Sequence, residues 1–250
     1  MPIVTSSEPS ETETAEPSAG TNDALRLRYR IRFAKRDLLR WISHRDLARL
    51  WERLLRRAQL RLSMTEGFHP KPRIAFPSAL ALGVEGANEV VEIELAEHWT
   101  PADLLNHLRS DEQPGLDIRS VSQLPERFGK AQLLRGIYEI QAPADTDAAS
   151  VAVAIGQLMD RETVSIERKK KSVEIRLQDQ ISSLHYTDET LHLVMEASNA
   201  ASLKPTDVLD LLGFNDWIEN GASVVRTDVV LQRELESDDP LVIATASQTE

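Results

Sequence analysis

Nine residues near the start of the chain, Leu25-Arg26-Leu27-Arg28-Tyr29-Arg30-Ile31-Arg32-Phe33, alternate strictly between apolar and cationic side chains. Only the two-residue period of a strand sorts them: Leu25, Leu27, Tyr29, Ile31 and Phe33 fall on one face and four arginines on the other. A helix would scatter both sets round its axis. One face of this strand must meet a core, and the other must meet water, an anion or the protein's own acids. With 250 residues, 41% of them hydrophobic, the chain can supply that core as one or two domains.

The net charge of -11 is unevenly spread. Residues 1–24 hold five acids and no Lys or Arg, and residues 25–75 hold fifteen Lys and Arg against four acids. Residues 76–250 hold fourteen against thirty-one. Thirteen of the fifteen cations in the basic block are Arg, which suits planar, bidentate contact with phosphate or carboxylate. Two readings follow: a patch aimed at a polyanion such as RNA, or arginines paired with the protein's own acidic half. The absence of cysteine excludes a disulfide framework, a thiolate zinc site, a cysteine nucleophile and an iron–sulfur cluster held by this chain alone. No apolar run approaches the roughly 20 residues of a membrane span. Met1 to Gly20 lacks the basic and apolar regions of a signal peptide, so a cytoplasmic location away from membranes is expected.

Ser43-His44-Arg45-Asp46 resembles a capping box with Asp in place of Glu, and opens a helix to about Ala58. Leu47, Leu50, Trp51, Leu54, Leu55 and Ala58 share its inner face, and Arg45, Arg49, Arg53 and Arg56 stripe the outer one. Leu60 to Met64 reads as a short strand. Thr65 to Pro77 reads as an extended loop punctuated by Gly67, Pro70, Pro72 and Pro77. Ala79 to Val84 reads as a strand, Glu85 to Asn88 as a turn and Glu89 to Leu95 as the returning strand. Thr100 caps a helix over Pro101 to Ser110, and Leu116 to Leu124 is the next strand. After a linker over Gln123 to Arg135 the order repeats. A strand at Gly136 to Ala142 precedes a helix over Thr146 to Arg161, with Val151, Ile155, Leu158 and Met159 inward. A strand at Thr163–Arg168 or Ser172–Leu177, a strand at Thr190–Ala197, a helix at Pro205–Leu212 and a strand at Ser223–Leu231 complete it. The expected fold class is α+β, with tandem ferredoxin-like β-α-β-β-α-β units. A basic domain spans 25–126 and an acidic one 134–233. A disordered acidic tail, 1–24, precedes them, and a C-terminal tail, 237–250, follows, in which Leu241-Val242-Ile243 is the segment able to dock.

The densest group of chemistry-bearing residues is His44, Arg45, Arg49, Arg53, Arg56 and Arg57 on the helix, followed by Phe68, His69, Lys71 and Arg73 on the proline-spaced loop. Phosphates would meet the cations, and a base would stack on Phe68 or His69. Phosphate-loop, dinucleotide-loop, His-Glu-x-x-His and Gly-x-Ser-x-Gly patterns are all absent. His98 and His107 lack carboxylates at metal spacing, His185 and His192 read as structural, and no metal or cofactor is expected. His44 and His69 are the pair able to act as acid and base in metal-free RNA cleavage. Arg168-Lys169-Lys170-Lys171 reads as a hairpin turn or a second phosphate contact.

Four stretches together resemble the radical SAM-linked protein family: Trp41-Ile42-Ser43-His44-Arg45-Asp46-Leu47-Ala48-Arg49, Glu52-Arg53-Leu54-Leu55-Arg56-Arg57-Ala58, Glu66-Gly67-Phe68-His69-Pro70-Lys71-Pro72-Arg73-Ile74-Ala75-Phe76 and Ala79-Leu80-Ala81-Leu82-Gly83-Val84-Glu85. That family is a domain of unknown function found alone or fused to the C-terminus of B12-binding radical SAM proteins. The resemblance covers about residues 25–225. The sequence departs from the family pattern at Arg45, His69 and Lys71, each adding or moving charge. The resemblance implies a partner, a B12-binding radical SAM protein, rather than a reaction. Lacking cysteine, this chain would present the substrate to that enzyme. The basic block suggests that the substrate is RNA, tRNA or rRNA. A non-catalytic RNA-binding accessory is therefore expected. The alternatives are a metal-independent endoribonuclease using His44 and His69, and a structural adaptor that binds protein alone.

Overall fold

A computed structural model describes residues 25–168, 171–198 and 202–235, and the backbone of 242–244. The expected tail 1–24, most of 237–250 and the Lys169-Lys170 centre of the basic cluster lie outside the described residues. The described residues form a mixed α/β structure with four α-helices on a multi-stranded sheet. No described helix is long and apolar enough to cross a membrane.

The first half runs β1 (Leu27–Lys35), α1 (His44–Arg57), β2 (Ile74–Ala75), β3 (Glu85–Leu95), α2 (Pro101–Arg109) and β4 (Leu116–Gln123). Its strands lie in the order β4-β1-β3-β2, each pair antiparallel. The alternation of β1 sets the register: Tyr29 opposes Ile93, and Ile31 opposes Val91 on one side and Val121 on the other. These residues and Phe33 are buried against Leu47, Trp51, Leu54 and Leu55 of α1 and Leu104 and Leu108 of α2. Trp51 meets Phe33 edge-on at 5.0 Å between ring centroids. Ser43 caps α1 as expected, its Oγ accepting from the Asp46 amide at 3.2 Å.

The second half runs β5 (Leu133–Gln141), α3 (Ala148–Met159), β6 (Thr163–Arg168), β7 (Lys171–Arg176), β8 (Ile181–Thr187), β9 (Thr190–Glu196), α4 (Pro205–Leu212) and β10 (Ser223–Leu231). Here the order is β10-β5-β9-β8, again antiparallel throughout. The segments expected to supply its second strand, Thr163–Arg168 and Ser172–Leu177, instead pair with each other as a separate hairpin, and β8 takes that place in the sheet. The hairpin's Val164, Ile166 and Ile175 are buried in the second core, so its alternation faces a core other than the sheet's inner surface. On α3, Val151 and Leu158 are inward, whereas Met159, at the helix end, is exposed.

Two further expectations are corrected at the junction of the halves. Ala79–Val84 is an irregular strap rather than a strand, with Leu80 and Val84 buried in the second core. Glu85–Asn88 is not a turn but the start of β3, where Glu85 and Gly86 pair in parallel with Val225 and Arg226 of β10. That short pairing makes one continuous sheet of the two halves. β11 (Val242–Ala244) adds to its other end, antiparallel to β4.

The junction is charged and buried. Arg226, 1% exposed, donates from Nε and Nη2 to the two Glu89 oxygens at 2.7 and 2.5 Å, and from Nη1 to Ser78 Oγ at 2.9 Å. Burial alone would lower the Arg226 pKa; the bonds and charge of Glu89 more than offset this and raise it. A Cβ on Gly86 would stand 2.4 Å from Glu89 Cγ, so glycine is what lets Glu89 lie across β3 to its partner. Lys35 is buried beside this pair, and burial lowers its pKa, with Glu89 acting to raise it and Arg226 to lower it. A depressed lysine pKa means that the charge opposes folding in full below the folded-state value, and that the penalty fades as the pH rises from that value to the unfolded one. Lys35→Met is therefore expected to leave stability unchanged or raise it at pH 7, and the gap to wild type should narrow as the pH rises and Lys35 discharges. Urea unfolding at pH 7 and again at about pH 10 measures this. A loss above about 2 kcal/mol at pH 7 would show that Lys35 is a net stabiliser.

Candidate nucleic-acid interface

The fold divides the basic block in two. The arginines of β1 face away from α1 and α2, yet they do not face solvent. Arg28 and Arg30 share Glu92, at 2.7 and 2.9 Å. Arg28 also donates to the carbonyls of Phe128 and Gly129 in the linker. Arg30 reaches Glu234 and the Arg233 carbonyl, both at 3.1 Å, and lies over the Phe128 ring. Arg32 pairs with Asp228 and Glu234 and donates to the Val229 carbonyl at 2.7 Å. The linker after β4 and the chain after β10 thus cover this face of the sheet, held there by arginine. For β1, pairing with the protein's own acids, some from the second half, is the arrangement observed.

The second set of cations stays on the surface. Arg45, Arg49, Arg53, Arg56 and Arg57 of α1 are all exposed. At 100° per residue the first four form one stripe opposite Leu47, Leu50, Trp51 and Leu54. Arg49 and Arg56 pair within the helix, with Asp46 at 3.4 Å and Glu52 at 2.8 Å, and Arg57 pairs with Asp111 at 2.9 Å. Exposed pairs of this kind hold a side chain only weakly. Among the described residues, Arg45 and Arg53 make no ion pair.

The loop after α1 folds back on itself. The Thr65 amide donates to the Lys71 carbonyl at 2.8 Å, and the Lys71 amide to Thr65 Oγ1 at 3.0 Å. The Arg73 amide donates to the Ser63 carbonyl, and Ser63 and Glu94 carry this ladder onto β3. The tip therefore stands on the sheet edge, with Gly67 in the left-handed region at φ 114°. Phe68 is fully exposed at the tip, and His69 and Lys71 beside it are exposed too. Arg73 differs: it is half-buried, pairs with Glu94 at 3.6 Å and donates from Nε to the Met64 carbonyl at 3.1 Å. It braces the tip instead of lying free on it.

His44 lies about 100° round α1 from the arginine stripe and meets Phe76 edge-on at 5.2 Å. Phe76 in turn meets Phe33 at 6.5 Å, which ties the helix start to the core. Among the described residues no hydrogen bond or ring contact joins His44 to His69. His107 is bonded to the Ala58 carbonyl at 2.7 Å and stacked on Trp99, while His185 and His192 stack on each other at 4.8 Å. Among the described residues no group of three or more His, Asp or Glu converges to hold a metal ion.

Two features escaped the sequence reading. A cavity of about 760 Å3 lies between the strap, β5 and the start of α4, lined by Ser78, Gly136, Tyr138, Met195, Lys204 and Arg226. Arg226 spends its donors on Glu89, Ser78 and the Ala79 carbonyl, so its charge is not offered there. The second feature is an exposed apolar platform of Leu38, Trp41 and Leu82 at the start of α1.

The family model described as "Uncharacterized protein conserved in bacteria (DUF2344)" matches residues 28–205. No curated protein matches the chain.

Proposed function

The chain belongs to this family of uncharacterized bacterial proteins, and from that premise we propose an RNA-binding protein that presents its substrate and does no chemistry itself. The observation that carries the reading is the division of the cations. Those of β1 are consumed inside the fold, while those of α1 and Lys71 stand exposed on one stripe and one raised tip beside Phe68. Arginine on a solvated helix face suits phosphate, and a fully exposed ring on a braced tip suits a base. The resemblance to radical SAM-linked proteins supports a separate B12-binding radical SAM enzyme as the partner. The order β4-β1-β3-β2 and its repeat, β10-β5-β9-β8, support two ferredoxin-like units within domains 25–126 and 134–233.

The test is a salt titration. Arg45, Arg49, Arg53 and Lys71 are replaced together by Ala; Arg73 is spared because it braces the tip. Each lost phosphate contact on a single strand removes about 0.7 from the slope of log affinity against log salt, so the slope should flatten by about 3. Affinity for unrelated RNA sequences should fall equally, since phosphate contacts position without specifying. Thermal melting should be nearly unchanged, as each exposed change costs under about 0.5 kcal/mol. An unchanged slope in a normally melting variant would remove the RNA reading. Phe68→Ala is a separate expectation, a loss of about 1–3 kcal/mol of affinity for single-stranded RNA with the salt slope intact.

A further inference from the structure

The sheet ends differently on its two sides. At one end β11 lies antiparallel to β4. At the other, β8 is the last strand among the described residues, and half of its backbone groups are left over. The hairpin to β9 shows which half. Asp188 and Glu189 form its two-residue turn, with φ of 48° and 58°, so Thr187 and Thr190 close it as a hydrogen-bonded pair. Pairs alternate from there. His185 and His192 are bonded, whereas Tyr186 with Leu191 and Leu184 with Leu193 are not. The N–H and C=O groups of Leu184 and Tyr186 therefore point away from β9, and among the described residues nothing bonds to them.

Edge strands that stay unpaired are commonly protected by Lys, proline or an inward charge. β8, Ile181-Ser182-Ser183-Leu184-His185-Tyr186-Thr187, contains no proline and no Lys, Arg, Asp or Glu. A bulge at Ser182 disturbs only its start. The nearest charges in the chain are Asp179 before it and Asp188 and Glu189 in the turn. The helix packed on it, α3, continues this surface. None of its twelve residues is charged, against seven of the fourteen in α1. Ser150, Ala154 and Gln157 line the groove toward Phe214, next to α4. At 100° per residue, Ala148, Ala152, Ile155, Gly156 and Met159 lie on the other side of α3, above the open edge of β8. All but Ile155 are exposed, and a Cβ on Gly156 would meet nothing within 4 Å. In a chain of net charge -11, two copies repel least where neither carries charge.

We propose that β8 pairs antiparallel with β8 of a second copy about a twofold axis, making one sheet through both molecules and setting the two α3 helices side by side. The strand's geometry selects the register. Leu184 pairs with Tyr186 of the second copy, and Tyr186 with Leu184 of the second copy. Each such pair exchanges two N–H···O bonds, so all the left-over groups of both residues are used. His185 then stands opposite His185 of the second copy. Centring the pair on Leu184 would bring in Ser182 at the bulge, and centring it on Tyr186 would bring in Asp188 of the turn. The contact is self-complementary and closes as a dimer. It is also small. The seven residues of β8 span about 23 Å, the twelve of α3 about 18 Å, and a helix layer lies about 10 Å from its sheet. That places the interface near the low end of specific contacts, about 1,000 Å2 in total, so a micromolar dissociation constant is expected. The proposal goes beyond the RNA reading and does not rest on it, since α1 and the raised tip belong to the other half of the sheet.

The experiment uses the full chain. Sedimentation velocity is recorded from about 1 to 100 µM, where a micromolar dimer shifts from 28.0 kDa toward twice that mass. Two variants address the two parts of the contact. His185→Lys sets like charges opposite each other on the paired strands, and Ala152→Glu sets a charge between the helices. Both residues are exposed, so the fold should survive, which thermal melting checks. Each variant should weaken association about tenfold or more. The register is read by crosslinking, in a chain with no cysteine of its own. His185→Cys, treated with oxidised glutathione, should form a disulfide-linked dimer, because Cα atoms of a non-hydrogen-bonded pair stand about 4.5 Å apart, within disulfide reach. Thr187→Cys, which faces Ser183 of the second copy, should not. A single species of 28.0 kDa at every concentration would overturn the proposal, as would a dimer that survives both charged variants. A dimer that Ala152→Glu weakens but His185→Cys fails to crosslink would overturn the strand pairing.

Discussion

Replacing Glu89 with Ala is expected to destabilise the protein by about 3–5 kcal/mol, because it strands a fully buried guanidinium that pairs with no other acid among the described residues. The loss is a large part of the roughly 5–15 kcal/mol that holds a domain folded. Its structural target is specific. Gly86 and Arg226 are one of the two residue pairs joining β3 to β10, so a charge left unpaired there opens the only backbone seam between the half-sheets among the described residues. Gly86→Ala should act on the same pair, since its methyl would displace the Glu89 side chain. The double replacement Glu89→Leu with Arg226→Met should recover most of the loss, as buried pairs exchanged for apolar groups of similar volume often fold as well or better. Urea unfolding of the three variants gives the coupling. A Glu89→Ala variant within about 1 kcal/mol of wild type would mean that water reaches Arg226 and that the seam is held by backbone pairing alone.

How much of this was legible in the sequence follows from which signals are local. The Leu25–Phe33 alternation, the Ser43–Asp46 cap and the Pro205 helix start are written in adjacent residues, and those elements lie where the periodicity puts them. Ala79–Val84 failed for a physical reason. A short consecutive apolar run has the signature of a strand, but the burial here comes from a core more than fifty residues further along the chain. Glu85–Asn88 failed in the same way: Gly86 signalled a turn, yet here glycine makes room for a charged side chain crossing a sheet. The hairpin of β6 and β7 had the right alternation and the wrong partner, since period alone cannot say which surface a strand covers.

The candidate site was half legible. Charge counting found the basic block but could not divide it, because Arg28, Arg30 and Arg32 meet acids 62 to 204 positions away. The helix stripe and the raised tip could be read, since helical period and proline spacing are local. The platform of Leu38, Trp41 and Leu82 gave no signal. Isolated apolar residues in a chain imply burial, and only the fold reveals that these three are left outside.

The second large effect is expected on the other face of the sheet. Glu92 is buried and accepts from both Arg28 and Arg30, so Glu92→Leu leaves two guanidinium groups facing each other across a lost carboxylate. About 3–5 kcal/mol should be lost here as well, with Arg30 contributing most, since it is 4% exposed and its other acid, Glu234, is partly solvated. Arg28 is partly relieved by the linker carbonyls it already meets. Arg30→Met should cost less than Glu92→Leu, because it removes one charge and leaves Arg28 to neutralise Glu92. These variants cross with the α1 substitutions. Loss of Arg30 should lower the unfolding midpoint and leave the RNA salt slope where it was, whereas loss of Arg45, Arg49, Arg53 and Lys71 should flatten the slope and leave the midpoint. Both quantities are read from the same preparations, by urea unfolding and by salt titration. If Arg30→Met flattened the slope by about 1 without lowering the midpoint, the β1 arginines would be reaching phosphate, and the division of the basic block into internal and external cations would fail.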